Sequence, residues 1–349
     1  MNFKKIIINQ EKTILDALEV LNSIPENYIS RLILFVCSSK KEIIGTLTDG
    51  DIRRAILNGS LLNEKISESC NRDFIYENET EGYLGLHKFR KQNLKIIPLL
   101  NKNKTLSRVL DLDKKKALLP LECMIMAGGR GKRLSPLTDS VPKPMLLLNN
   151  KPIIEYNIDR LIQFGITKIY ISVNYLGQQI QNYFGDGSSK GIEIEYIWEE
   201  KELGTAGSLS LLKNIKTDHI LLLNSDLFTN VNIEEMYLNL LNNNADMAIA
   251  SKDYTVDVPY AVFNNNDNII NSFTEKPSFR YFSNAGIYLF KKEFITKIPL
   301  DVFYNITDLM DVLIEEDKKL IHVPIRGYWI DIGNPVQYSS AQEMVKYLK

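Results

Sequence analysis

A glycine-rich segment is the part of the sequence best suited to binding phosphate. It reads Ala127-Gly128-Gly129-Arg130-Gly131-Lys132-Arg133-Leu134 and follows an apolar run directly. Glycines let backbone N–H groups approach phosphate oxygens without obstruction by Cβ, and Arg133 supplies positive charge for a triphosphate. The segment matches neither G-x-G-x-x-G nor the Walker pattern ending G-K-[ST], which argues against a dehydrogenase or a P-loop enzyme.

A lysine between two prolines follows in Pro142-Lys143-Pro144-Met145. Prolines restrict the backbone around Lys143, so less entropy is lost when its ammonium group binds a phosphate. A surface lysine in a turn is the alternative interpretation. Together with the glycine-rich segment, Lys143 predicts a site for a triphosphate.

The elements that position these residues are predicted from an alternation of β-rich and helical patterns. Apolar runs such as Ile169 to Val173 and His219 to Leu223 alternate with helical periods such as Ile153 to Phe164 and Leu176 to Tyr183. This alternation predicts an α/β domain with a doubly wound, mostly parallel, Rossmann-like sheet. In such a sheet ligands bind at the carboxyl ends of the strands, and Asp226 follows one of these runs.

Residues 1 to 113 contain one pattern twice. The first copy reads β-α-β-β-α, from an extended start at Ile6 to Ile8 to a helix at Asp51 to Leu57. The weaker second copy has an extended Phe74 to Tyr76, a helical Tyr83 to Phe89, an apolar Ile96 to Leu100 and an amphipathic Leu106 to Leu112. The charged stretch 114–121 is predicted to be a linker, and the second domain covers 122–349.

The segment Gly45-Thr46-Leu47-Thr48-Asp49-Gly50-Asp51 resembles the strand-to-helix signature of the CBS family. The resemblance implies a smaller α+β domain formed by a CBS pair, in which Thr48 and Asp51 hold an adenine or guanine nucleotide. The alternative is that Thr48 and Asp51 only cap the helix that follows, because such side chains accept hydrogen bonds from free N–H groups. Nucleotide-dependent regulation and self-association into a homo-oligomer are the functions that we expect of the pair.

Later motifs extend the phosphate-binding pattern into a family resemblance. After the glycine-rich start and the P-K-P element come, in order, Leu203-Gly204-Thr205-Ala206-Gly207, Asn224-Ser225-Asp226, Glu275-Lys276-Pro277 with Asn284-Ala285-Gly286-Ile287, and Trp329-Ile330-Asp331-Ile332-Gly333. Residues 122–349 thus resemble the nucleotide-sugar pyrophosphorylase family. The resemblance implies that a sugar 1-phosphate attacks the α-phosphorus of a nucleoside triphosphate and releases pyrophosphate. Because both reactants are anions, the reaction needs cations and orientation rather than a protein nucleophile.

The resemblance also assigns roles to individual residues. Arg133 and Lys143 are the catalytic cations, and Asp226 and Asp331 hold Mg²⁺, which prefers oxygen ligands. The nucleotide contacts Ala127, Gly128, Gly129, Gly131, Glu199, Gly204 and Thr205, and the sugar phosphate contacts Ala261, Glu275, Lys276 and Asn284. A capping or strand-end aspartate is the alternative for Asp226 and Asp331 taken singly, and a turn residue is the alternative for Asn284.

Glu199 occupies the position that reads the nucleobase in the family, five residues before Gly204. Guanine offers two adjacent donors, N1–H and the N2 amino group, which one carboxylate can accept together, whereas uracil and thymine place one N–H between two carbonyls. GTP is therefore the expected donor substrate. Uridylyl, thymidylyl or cytidylyl transfer stays open, as does the interpretation that Glu199 is only one charge in a charged segment.

The sugar is less well specified. A CBS pair joined to this catalytic domain resembles guanylyltransferases of bacterial surface-sugar pathways, including those acting on glucosamine 1-phosphate for legionaminic acid, and mannose 1-phosphate is the alternative acceptor. Ala261 stands where many relatives have glycine and narrows the expected sugar pocket by one methyl group. The chain ends at Lys349, which predicts that no β-helical acyltransferase follows. A non-catalytic nucleotide-sensing homologue is the alternative from another class of protein.

Composition excludes several kinds of partner. A formal net charge of −1 with scattered Lys and Arg gives no field for nucleic acid. No stretch approaches the roughly 18 apolar residues that span a bilayer, and the N-terminus lacks a secretory pattern. The cysteines Cys37, Cys70 and Cys123 are too far apart for a zinc or redox motif and suit a reducing compartment. We therefore expect a cytoplasmic enzyme without nucleic-acid or membrane partners.

Overall fold

A computed structural model of the chain describes residues 3–25, 28–78, 89 and 92–348. The chain divides into two compact units, of which unit 1 ends at Leu119 and unit 2 begins at Pro120. This division falls within the stretch 114–121 expected to be a linker. None of the helices in these described ranges is long and apolar enough to cross a bilayer.

The described residues of unit 1 form two three-stranded sheets with the same topology. In the first, β1 (Ile7–Asn9) runs parallel to β2 (Leu34–Cys37), which pairs antiparallel with β3 (Ile43–Leu47). In the second, β4 (Glu77–Asn78), β5 (Ile96–Leu100) and β6 (Leu106–Asp111) repeat this arrangement. Helix α1 (Ile14–Ser23) connects β1 to β2, and α2 (Asp49–Leu57) follows β3. The two copies of the sequence pattern therefore share one strand order.

The second copy departs from the expected pattern in two details. Its first strand starts at Glu77, after the predicted Phe74 to Tyr76, because the residues that pair with β5 are Glu77 and Asn78. The amphipathic stretch from Leu106 is strand β6, which pairs along β5. The helix expected at Tyr83 to Phe89 lies outside the described residues except for Phe89, which is buried.

Unit 2 is built on a seven-stranded sheet. Its strands are β7 (Leu121–Met126), β10 (Lys168–Val173), β11 (Glu193–Trp198), β12 (His219–Asn224), β14 (Met247–Asp257), β17 (Ser278–Lys291) and β18 (Leu320–Pro324). Their order across the sheet is β11-β10-β7-β12-β17-β14-β18. Only β17 runs antiparallel to its neighbours in this sheet. The predicted mostly parallel α/β sheet is confirmed, with this one inserted antiparallel strand.

Five helices accompany the sheet: α3 (Ile153–Gln163), α4 (Gly177–Phe184), α5 (Ile233–Asn242), α6 (Ile306–Glu315) and α7 (Pro335–Lys346). Residues 220–223 of β12 are all buried, as is typical of a strand covered on both faces. Leu222 packs in a cluster with Leu309 and Leu313 of α6, and Leu134 packs in a second cluster with Ala341 of α7.

Short ribbons complete unit 2. Strands β8 (Leu147–Leu148) and β9 (Lys151–Pro152) form a hairpin, and β13 (Leu227–Thr229) pairs antiparallel with β19 (Trp329–Asp331). Beyond the sheet, β14 and β17 continue as a two-stranded extension that carries the hairpin of β15 (Val262–Asn266) and β16 (Ile269–Thr274). We call residues 251–284 the β arm, and most of its side chains are exposed.

Candidate active site

A cavity of about 470 Å³ opens where β7 and β12 end. The chain goes from β7 outward through β10 and β11 and then returns to β12 on the other side of β7. The loops after β7 and β12 therefore diverge, which makes the ligand crevice typical of doubly wound sheets. Nine of the predicted residues line this cavity: Gly128, Gly129, Gly131, Arg133, Lys143, Glu199, Gly204, Thr205 and Asp226.

Two glycines allow the segment after β7 to lie close against its neighbours. Gly131 has a φ of +66°, and a Cβ there would lie 3.0 Å from Lys143 Cβ. A Cβ on Gly128 would lie 3.1 to 3.2 Å from the carboxyl atoms of Glu199. Ala127 is buried beneath the segment, where its N–H donates to Ser172 O at 3.0 Å, so it supports the cavity without lining it.

Lys143 and Asp226 form an ion pair inside the cavity, in which Lys143 Nζ donates to Asp226 Oδ2. Their side chains are only 13% and 19% exposed. Lys143 starts a 3-10 turn that the Met145 N–H closes on Pro142 O at 2.8 Å. Asn157 of α3 supports the segment after Asp226, because its buried amide donates to Leu227 O at 3.0 Å.

Asp331 lies beside Asp226 because β13 pairs with β19. Leu227 is the register partner of Asp331, and Ile332 N–H donates to Asp226 O at 3.1 Å. Burial, and then the charge of Asp226, raises the pKa of Asp331, while Lys143 and Arg133 lower it. Asp331 itself is not among the cavity-lining residues, although Gly333 is.

The two aspartates suit a hard divalent cation. Asp226 Oδ1 is buried and has no hydrogen-bond partner among the described residues. Carboxylate oxygens are the ligands that Mg²⁺ prefers, and Mg²⁺ usually keeps several waters and substrate oxygens besides one or two carboxylates. The described ranges contain no cluster of three or more His, Cys, Asp or Glu side chains arranged for a metal. Asp226 and Asp331 are the two neighbouring carboxylates that the described part of the site offers to such an ion.

Glu199 follows β11 and is 8% exposed. Its Oε2 accepts a long hydrogen bond of 3.4 Å from Leu203 N–H, and its Oε1 is buried without a partner among the described residues. Burial raises the pKa of this carboxyl, whereas the Ser172 hydroxyl, the Leu203 N–H and the Ser208 hydroxyl lower it. Glu199 is therefore a cavity carboxyl with unused acceptor capacity.

Gly204 and Thr205 connect the cavity wall to helix α6. Gly204 has a φ of +74°, and a Cβ there would lie 2.7 Å from Tyr304 O. Thr205 Oγ1 accepts a hydrogen bond of 2.9 Å from Ile306 N–H, the first residue of α6. These two residues hold the wall in place in addition to facing the cavity.

The predicted sugar-phosphate residues are on the β arm. Glu275, Lys276 and Asn284 are exposed, and Ala261 is half-buried. Asn284 Oδ1 accepts a hydrogen bond of 2.9 Å from Gly286 N–H. None of the four lines the described cavity. Gly286, two residues after Asn284, nevertheless lies against the cavity-lining Asn224, because a Cβ there would lie 2.8 Å from Asn224 Nδ2.

Thr48 and Asp51 cap a helix in unit 1. Thr48 is the N-cap of α2, and its N–H and hydroxyl donate to Asp51 Oδ2 at 2.8 and 2.6 Å. Asp51 also pairs with Arg54. This is the capping arrangement that the sequence offers as the alternative to nucleotide binding. Helix α1 starts with the same capping box, made by Thr13 and Asp16.

Sequence reasoning missed two serines beside Glu199, Ser172 and Ser208. Both are fully buried. In the strand sequence Ile-Tyr-Ile-Ser-Val, Ser172 is the one small polar residue among larger side chains. A small polar residue in a buried strand is the signal that could have identified it. Cys37 and Cys123 are buried, and Cys70 is half-buried.

Known proteins resemble unit 2. The sequence model of the nucleotidyl transferase family matches residues 122–347. The bifunctional protein GlmU of Methanococcus maripaludis is 33% identical over 238 residues, which are 63% of this chain and 53% of that protein. The mannose-1-phosphate guanyltransferase beta-B of Xenopus laevis is 28% identical over 237 residues, 66% of this chain and 65% of that protein. The chain thus matches between half and two thirds of the length of these relatives.

A solved structure shares the fold. The crystal structure of a Bacillus anthracis protein assigned as a glucose-1-phosphate thymidylyltransferase matches with a TM-score of 0.54 and 23% identity. The match covers 66% of this chain and 96% of that protein. The α/β architecture of unit 2 is therefore that of a known nucleotidyltransferase-like fold.

The buried carboxyl of Glu199 predicts a pH-dependent cost in stability. Its raised pKa means that ionising this carboxyl costs more free energy in the folded than in the unfolded chain. The free energy of unfolding therefore falls as the pH rises through the folded-state pKa. Glu199→Gln should therefore melt at a higher temperature than wild type near about pH 7, and the gap should narrow toward about pH 4. Thermal melts across this range measure it. Glu200→Gln, which replaces the exposed carboxyl that follows in the chain, is the control and should show no gain, and identical melts of Glu199→Gln and wild type would contradict the prediction.

Proposed function

Because the chain belongs to the nucleotidyl transferase family, we propose that unit 2 transfers a nucleoside monophosphate from a nucleoside triphosphate to a sugar 1-phosphate and releases pyrophosphate. The observation that carries the proposal is one cavity in which a glycine-rich segment faces Lys143 and Asp226. The name of one relative, mannose-1-phosphate guanyltransferase, points to the same reaction class.

The chain's own contribution is to bind and orient two anions. Backbone N–H groups near Gly129 and Gly131, together with Arg133, would bind the triphosphate. Lys143 would stabilise charge at the α-phosphorus, where the phosphate of the sugar attacks and pyrophosphate leaves in line. Because the sugar phosphate is itself the nucleophile, no side chain has to form a covalent bond. Orientation and charge neutralisation therefore account for the catalysis.

Asp226 and Asp331 would hold Mg²⁺ beside the triphosphate. When bound, such an ion neutralises phosphate charge and favours the in-line arrangement. The buried, unpartnered Asp226 Oδ1 supports this role. Lys143 would then serve both to pair with Asp226 and to approach the phosphate.

We propose GTP as the donor, with Glu199 as the residue that reads guanine. Oε1 of Glu199 is buried and unpartnered at the cavity, where N1–H and the N2 amino group of guanine would supply two donors. The guanyltransferase of Xenopus laevis is consistent with this choice. UTP, TTP and CTP are the alternatives.

Glucosamine 1-phosphate is the proposed acceptor, from the resemblance to bacterial surface-sugar enzymes, and mannose 1-phosphate is the alternative. We retain Ala261, Glu275, Lys276 and Asn284 as the proposed acceptor residues. They belong to the β arm and do not line the cavity, so an acceptor that contacts them would extend from Asp226 beyond the cavity lining.

The matrix of the four triphosphates against a panel of sugar 1-phosphates, with Mg²⁺, tests the proposal. We expect pyrophosphate release to be fastest with GTP, and with glucosamine 1-phosphate as acceptor. Pyrophosphate release and nucleotide-sugar formation, followed together, exclude simple hydrolysis. A full matrix without turnover would refute the enzyme proposal, and faster turnover of another triphosphate would refute only the guanine assignment.

Asp226→Asn should lower kcat by about 10²-fold or more, because the substitution removes one metal ligand's charge. Steady-state kinetics with the best substrate pair measure the loss. Asp159→Asn is the matched control, since Asp159 also pairs with lysines, Lys151 and Lys190, but away from the cavity. Wild-type kcat in Asp226→Asn, or an equal loss in Asp159→Asn, would overturn the assignment of Asp226.

For unit 1 we propose a CBS pair that binds an adenine or guanine nucleotide at Thr48 and Asp51, regulates unit 2 and contributes to self-association. The support is the repeated strand topology of the two copies. The capping box of α2 does not conflict with this role, because one hydroxyl can both cap a helix and contact a ligand.

Thr48→Ala and Thr13→Ala separate capping from ligand binding. Both replace the N-cap of a helix in unit 1, so each should cost about 1 kcal/mol of stability. Only Thr48→Ala should also lose the rise in melting temperature that AMP, ATP or GTP produces. The nucleotide titrations are run both in wild type and in Asp226→Asn, and only a rise that Thr48→Ala removes in both backgrounds is assigned to unit 1. An unchanged nucleotide response in Thr48→Ala would contradict the regulatory site.

A further inference from the structure

Two buried hydroxyls lie at the base of the cavity. Ser172 of β10 and Ser208 of the 3-10 helix Gly207–Leu211 are both 0% exposed. Both hydroxyls donate to the same thioether, Met126 Sδ, at 3.7 and 3.4 Å. A thioether is a weak acceptor, and buried hydroxyls normally have a strong one. These two donors are therefore poorly satisfied where they are.

The carboxyl of Glu199 is a stronger acceptor, its Oε1 is buried without a partner among the described residues, and the segments that contact it also contact both serines. Ser172 Oγ accepts a hydrogen bond of 3.4 Å from Ala127 N–H, and the following residue, Gly128, lies against the Glu199 carboxyl. On the side of Ser208, Leu203 N–H donates to Glu199 Oε2. Leu203 O in turn accepts a hydrogen bond from the N–H of Gly207, the residue before Ser208. Both hydroxyls also act on the pKa of Glu199 as donors that favour its charged form.

Few other groups decide the charge of Glu199. The charge of Glu202 opposes ionisation, as burial does. The remaining charged groups that face the cavity are Arg130, Lys132, Arg133, Lys143 and Asp226. The largest effects on the Glu199 pKa come instead from burial, from the Ser172, Leu203 and Ser208 donors, and from the charge of Glu202.

The charge of Glu199 changes which nucleobase it can recognise. An ionised carboxylate offers only acceptors and matches the two adjacent donors of guanine. A protonated carboxyl offers one donor and one acceptor, which matches the N–H and adjacent carbonyl of uracil or thymine. Groups that keep Glu199 ionised therefore also favour guanine.

We propose that Ser172 and Ser208 are positioning residues that hold Glu199 as a carboxylate and thereby select GTP over UTP and TTP. This inference rests on the proposed nucleotidyl transfer and on Glu199 as the base-reading residue. The serines act through Glu199 and do not contact the base themselves. Their removal should change nucleotide choice more than it changes turnover of the phosphate chemistry.

The test measures kcat/KM for GTP and for UTP between about pH 5 and pH 9 in wild type, Ser172→Ala, Ser208→Ala and the double variant. The acid limb of the GTP profile should move upward by about one pH unit in each single variant, because each variant removes one hydroxyl that can turn from Met126 Sδ to the charged carboxylate. At pH values on that limb, the preference for GTP over UTP should fall roughly tenfold. The UTP profile should not show this fall.

Two further variants serve as controls. Ser210→Ala removes a hydroxyl from the same 3-10 helix, where it donates to Gly207 O at 2.7 Å, and it should leave both profiles unchanged. Glu199→Gln fixes a neutral donor and acceptor, so its GTP-to-UTP ratio should not depend on pH. If an alanine variant fails to fold, Ser172→Cys or Ser208→Cys keeps a side chain of similar shape with only a weak donor, and it should shift the GTP profile in the same direction.

Three results would overturn the inference: unchanged acid limbs in both serine variants, equal losses for GTP and UTP, or the same shift in Ser210→Ala. A failure of the proposed function is distinguishable, because wild type would then release no pyrophosphate from any triphosphate. In that case, equilibrium binding of GTP and UTP to the same variants still decides the inference, since base selection precedes the chemical step. Equal effects on GTP and UTP binding would refute it.

Discussion

The ion pair between Lys143 and Asp226 joins the basic and acidic halves of the cavity. Asp226 stands beside Asp331, and two neighbouring carboxyls in a partly buried site repel each other unless cations offset their charge. Lys143 and Arg133 provide that offset, as the opposing effects on the pKa of Asp331 indicate. The glycine-rich segment, the proline-flanked turn and the β13–β19 ribbon therefore depend on one another. Each would lack its charge partner without the others.

The strand order explains why these segments meet. The chain adds strands on one side of β7 and then on the other, so the loops after β7 and β12 diverge and leave a crevice between them. Glu199 reaches the same crevice from β11, because its N–H continues the sheet by donating to Val173 O at 2.9 Å. Distant parts of the sequence thus arrive at one edge through regular strand pairing.

Much of this arrangement was predictable from the sequence, because it depends on local patterns. The alternation of strands and helices predicted the sheet, and the position of Asp226 after an apolar run predicted its place at a strand end. The antiparallel β17 was not predictable, since it requires pairing between distant strands. The position of Ala261, Glu275 and Lys276 on the β arm was not predictable either, because the spacing of motifs gives their order along the chain and not their distances in the fold. Ser172 and Ser208 were missed because their chemistry comes from a buried neighbour 9 to 27 residues away in the chain.

The close approach of Gly128 to Glu199 has an evolutionary consequence. The Glu199 carboxyl lies 3.1 Å from the place where a Cβ at position 128 would stand, so a side chain there would push the carboxyl aside by a few tenths of an ångström. A substitution in the phosphate-binding segment would thus displace the side chain that is proposed to read the base. A shorter residue at position 199 would relieve the contact, so substitutions at the two positions depend on each other. Phosphate binding and base choice are in this way linked by one steric contact.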